Sequence, residues 1–183
     1  MRRLSMLFDH VTNHMSLFSW VFTLVMFVVV VVPLEEDRLL EAAGTTASPD
    51  TAVFYGPRLL EGIIETYAEE GRDHYVTSRL TFDLAFPVIY TAVLISMLSM
   101  LYRYESGPLG LSNLVPLGVF AFDLLENTTV SILMATYPSL PEALLWISAL
   151  FSGLKWVLLA FTVALVCFGI FKTLSKRRTT HQE

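Results

Sequence analysis

Cysteine is all but missing from this 183-residue sequence. The single Cys167 excludes an internal disulfide framework, a CxxC redox pair and a cysteine-built metal site. Histidine is sparse and scattered, at His10, His14, His74 and His181, so no histidine metal motif exists. The glycine and serine signatures of P-loops, dinucleotide folds and serine hydrolases are absent, as is the HExxH zinc pattern. Charge is also scarce: 16% of residues are Asp, Glu, Lys or Arg, against about 25% in soluble domains. A net charge of −5 removes any whole-protein electrostatic case for nucleic-acid binding. What fills the chain is apolar. Hydrophobic residues make up 54% of it, the mean hydropathy is +0.59, and the class implied is an all-α integral membrane protein.

A helix needs about 20 apolar residues to cross the bilayer core. Four stretches qualify, at about 15–34, 83–102, 109–137 and 142–171, predicting a single four-transmembrane-helix bundle. The third is the least apolar, because Asp123, Glu126 and Asn127 lie at its centre. The first run is longer than a signal-peptide core and no A-x-A site follows it, so it reads as an uncleaved anchor. Asn127-Thr128-Thr129 matches a glycosylation sequon but falls inside a span, where no acceptor is reachable. Arg2, Arg3, Arg103, Lys172, Lys176, Arg177 and Arg178 flank one side of the spans, while Arg38, Arg58, Arg72 and Arg79 are spread over the long loop 35–82. That bias predicts cytoplasmic N- and C-termini.

The outer loop has structure of its own. After an acidic, partly helical opening, Pro57 suits a first helical position. Leu59, Leu60, Ile63, Ile64 and Tyr67 then recur at helical spacing, giving an amphipathic interfacial helix over about 57–70 with Gly71 as its C-cap. Its apolar side either lies in the membrane interface like a lid or packs on the bundle's rim. Beyond Gly71 the pattern runs unbroken into the second span. Arg72, Tyr75, Arg79, Asp83, Pro87 and Tyr90 share one face, with a kink expected at Pro87. This face is either a polar track with two arginines at its mouth, fit for a phosphate or carboxylate, or a hydrogen-bonded helix entry.

Ionisable side chains at membrane depth are costly and face partners. Asp123, Glu126 and Asn127 share a helical face, and Lys155 is the sole cation in the spans. If the third and fourth helices turn around residues 138–140, positions whose numbers sum to about 278 lie at equal depth. Asp123 then meets Lys155, both about 21 Å from the hairpin end, and a buried ion pair is predicted. By the same count no basic residue reaches the level of Glu126. Tyr90 and Thr23 fall near that level, Ser148 and Ser152 share the Lys155 face, and Ala149 and Gly153 permit close packing. A polar chamber around Glu126, Asn127, Tyr90 and Thr23 would serve a ligand, proton or ion. Structural polar glue is the competing explanation. Two carboxylates without a second cluster do not make a metal site, and no cofactor is implied.

The segments GRDHYVTSRLTFDLAFPVIY, FDLLENTTV and SGLKW resemble a family of small, uncharacterised four-span bacterial membrane proteins, over roughly residues 54–157. The resemblance implies a layout and a bacterial inner (plasma) membrane, and no reaction. Two kinds of function stay open. One is a membrane protein binding a lipid-like or small ligand, a further copy of itself or a partner membrane subunit through its chamber. The other is a compact enzyme acting on a lipid or isoprenoid at the outer leaflet, with Glu126 or Asp123 as base.

Overall fold

The computed structural model describes residues 1–45, 47–49, 52–81 and 84–180, and no strand occurs among them. The helices are α1 (Arg2–Val11), α2 (His14–Ala43), α3 (Pro57–Thr66), α4 (Glu69–Leu80), α5 (Ala85–Tyr102), α6 (Val115–Thr136) and α7 (Glu142–Thr180). A 3-10 turn, Gly107–Leu114, leads into α6. Four helical stretches are long and apolar enough to cross a membrane: His14–Ala43, Ala85–Tyr102, Gly107–Thr136 and Glu142–Ser175. The protein is thus an all-α four-helix membrane bundle, with α1 and the far end of α7 at one end (the terminal end) and α3 and α4 at the other (the loop end).

Helices α5, α6 and α7 pack on one another, most extensively along the α6–α7 hairpin, and α2 docks on α5. Short helices close both ends. At the terminal end α1 lies against α5 and the 3-10 turn. A reciprocal capping box at Asn13 and Ser16, with both bonds at 2.9 Å, separates α1 from α2. At the loop end α3 packs on α7, while α4 packs on α6 and on the outer half of α2.

Apolar cores sit at the two ends. Tyr55, Leu60, Ile64, Tyr67 and Tyr75 close over Val130, Leu133 and Met134 at the loop end, and Leu98, Tyr102 and Val166 form the terminal core. A predominantly polar belt separates them.

Several expected boundaries move. The first helix continues past position 34 to Ala43, where Gly44 at φ +71° ends it. It passes Pro33 because the turn Phe27–Val31 is a π-helix, which re-spaces carbonyls that the proline ring would otherwise strike. The helix from Pro57 stops at Thr66, and Tyr67 is extended. Its apolar side is buried on the rim through Leu60 and Ile64, whereas Leu59 is exposed. Gly71 is not a C-cap but an interior residue of α4. A Cβ there would come within 2.4 Å of both Ala43 Cα and Cβ, so only glycine permits this crossing of α2 and α4. Nor does α4 run unbroken into the second span: it ends at Leu80, and Thr81 leaves helical geometry. Pro87 therefore falls in the first turn of α5, where a missing N–H costs nothing and no kink is required. The fourth span extends beyond 171 as part of a 39-residue helix.

Candidate functional site: a charged triad in a polar belt

The α6–α7 hairpin places Asp123 and Lys155 as their numbering predicts. Lys155 Nζ lies 3.3 Å from Asp123 Oδ1. A second rung confirms the register: Ser148 Oγ donates to Thr129 Oγ1 at 2.6 Å, one level nearer the hairpin turn.

The arrangement is a triad, however, and this corrects the expectation for Glu126. Lys155 Nζ lies 2.5 Å from Glu126 Oε2, closer than to Asp123. The lysine stem spans more than one helical turn, so one ammonium serves carboxylates at i and i+3 of the facing helix. Glu126 is fully enclosed, and Asp123 and Lys155 are each 7% exposed. The ammonium also stands 5.6 Å from the Trp156 ring centroid. Glu126 is therefore not a carboxylate lacking a cation.

Tyr90 joins the triad from α5, donating its hydroxyl to Asp123 Oδ2 at 2.7 Å. Depth alone places it near the level of Glu126. An aromatic stack positions the ring: Phe27 of α2 lies on Phe86 with centroids 5.5 Å apart, and Phe86 meets Tyr90 edge-on at 5.5 Å. Thr23 does not belong to the chamber. It is exposed on α2 and returns its hydroxyl to the carbonyl of Ser19.

Around the triad lie further buried polar atoms. Asn127 Oδ1, Ser131 Oγ and Ser152 Oγ are enclosed and accept or donate no hydrogen bond within the described protein. By the hairpin register Ser152 sits level with Glu126, and Ser131 lies one turn from Asn127 toward the loop end. Such orphaned groups call for water or a ligand.

The arginines at the loop end are drawn into the cap. Arg72 donates to the Tyr67 carbonyl and lies 4.2 Å from the Tyr137 ring centroid. Arg79 donates to Ser48 Oγ at 3.3 Å and lies 4.5 Å from the Tyr75 ring centroid. Asp83, expected on the same track, lies outside the described residues, as does His181. Among the described residues no three His, Cys, Asp or Glu side chains gather as a metal site would require.

Two polar features escaped the sequence. The two N–H groups of Asn113 Nδ2 are shared among three acceptors, the Ser5 carbonyl at 3.1 Å, Asp9 Oδ1 at 3.1 Å and Ser99 Oγ at 2.9 Å, so α1, α5 and the 3-10 turn meet on one amide. Lys172 pairs with Glu105 at 2.7 Å. The only hint was a polar i, i+4 pair, Ser5 and Asp9, set among Leu4, Met6, Leu7 and Phe8.

No protein-family model, curated protein or solved structure matches this chain. The functional case therefore rests on geometry alone.

Proposed function

We propose that this protein is a binding protein of the membrane whose polar belt receives a small ligand or the polar head of a lipid-like molecule from the loop end. The observation that carries this is the set of orphaned polar atoms on α6 and α7, Asn127, Ser131 and Ser152, beside a charged triad. A purely structural ion pair has no use for them, because each buried polar group without a partner costs about 1–3 kcal/mol. The triad fixes the floor of the chamber, and the tyrosine-rich cap with Arg72 and Arg79 forms its roof. The alternative is an enzyme acting on a lipid or isoprenoid at the outer leaflet. It is supported less well, since Asp123 and Glu126 both contact Lys155 and neither is placed as an unengaged base.

The test is accessibility. In a Cys167→Ser background, Ser131→Cys and Ser152→Cys are expected to react with a small charged methanethiosulfonate applied from the loop side, more slowly than the exposed control Val53→Cys. Labelling of the control with neither belt position reacting would show a sealed seam and defeat the proposal.

A further inference from the structure

A second polar site lies at the opposite end of the bundle, independent of the chamber. Helix α1 is amphipathic in an inverted sense. Its polar side faces the protein: Ser5 Oγ donates to the Gly110 carbonyl at 2.9 Å, and Asp9 accepts from Asn113. Its apolar residues Leu4, Met6, Leu7 and Val11 are exposed. A helix with an outward apolar face, at the end of four spans, lies in the membrane interface with that face toward lipid.

Between α1 and the chain from Arg103 to Leu111 a groove of about 370 Å³ opens, lined by Arg2, Met6, Asp9, Arg103, Glu105 and Leu111 among others. That is the size range of small-ligand sites, about 300–1,000 Å³. Its charges are of both signs and close together. Arg103 is held by one bond, Nη2 to the Thr12 carbonyl at 2.8 Å, while its enclosed Nε has no partner in the described protein. Glu105 is shared with Lys172. Asp9 spends one oxygen on Asn113, and a carboxylate accepts several bonds.

We infer that this groove binds the head of a zwitterionic phospholipid bearing a primary ammonium, as phosphatidylethanolamine does. The phosphate sits between Arg2 and Arg103, whose planar guanidinium suits paired bonds to phosphate oxygens. The ammonium reaches Asp9, the carboxylate not already occupied by a lysine. Met6, Leu111 and the exposed side of α1 border the acyl chains. A purely anionic head would leave Asp9 facing an uncompensated charge, and a choline head has no N–H to donate.

Native mass spectrometry of the full chain in detergent, with phosphatidylethanolamine, phosphatidylcholine or phosphatidylglycerol of identical acyl chains, tests this. Phosphatidylethanolamine is expected to be retained about tenfold better than either, the value of one charge-assisted hydrogen bond. Asp9→Asn keeps an acceptor for Asn113 and should erase the preference over choline while leaving binding. Arg2→Gln, at an exposed position outside the packing, should weaken all three lipids. Equal retention of the three, preference for phosphatidylglycerol, or an undiminished preference in Asp9→Asn would each overturn the inference. Complete competition by inorganic phosphate at equal concentration would identify a free-phosphate site and overturn the lipid as its source.

Discussion

Lys155 is the residue on which the membrane interior depends. One ammonium stands between two carboxylates, so the three positions are not equivalent under neutralisation. Removing Lys155 strands both acids at once and should cost on the order of 3–5 kcal/mol or more. Glu126→Gln or Asp123→Asn leaves the lysine facing the other acid and should cost less than Lys155→Met. Unfolding of the purified variants in mixed micelles measures the order, and equal losses would show that the lysine belongs to one acid only. Pairing of Asp123 with Lys155 was legible in the sequence because an antiparallel hairpin turns depth into arithmetic. The second contact was not, since counting along helix axes ignores the length of a lysine stem. The same limit misplaced Tyr90, whose aim is set by Phe27 and Phe86 on another helix. Thr23 failed for a related reason: depth along a span says nothing about which face of it meets the protein.

At the scale of elements, the crossing of α2 and α4 is set by Gly71 against Ala43. Gly71→Ala should destabilise by about 1–3 kcal/mol through overpacking, read as a lower thermal midpoint. Ala43→Gly in the same chain should restore only part of it, because the new Cβ also meets the Ala43 backbone at 2.4 Å. Full restoration would place the conflict in the side chain alone. Sequence gave no means of telling a packing glycine from a capping one, since both follow an apolar helical run. The four long helices were legible from hydropathy, which depends only on local composition. Their ends were not: α2 outlasts its apolar run because EEDRLLEAA favours helix, and α1 stayed hidden because its apolar side faces away from the core.

For the molecule as a whole, the distribution of Lys and Arg predicts cytoplasmic termini, and direct measurement tests it. Ser48 makes a poor reporter, being buried beside Arg79. Val53→Cys and Arg3→Cys are exposed and serve better. With cytoplasmic termini, an impermeant maleimide applied to intact cells should label position 53 and spare position 3. The opposite pattern would invert the topology and place α3 and α4 on the cytoplasmic side.

The 30-residue first helix is about 45 Å long, and a bilayer core is about 30 Å thick. Its upper third therefore stands clear of the lipid while remaining one rod with the part inside. That projecting arm carries Glu35, 2.9 Å from His74, and Ala43, the seat of Gly71, so the roof is bolted to it. A thinner bilayer is met by tilting such a helix, and because α4 also packs on α6 the tilt strains the crossing of α2 and α4. The first helix is in this sense a lever with its fulcrum in the membrane, and membrane thickness becomes a load on the contact between Gly71 and Ala43.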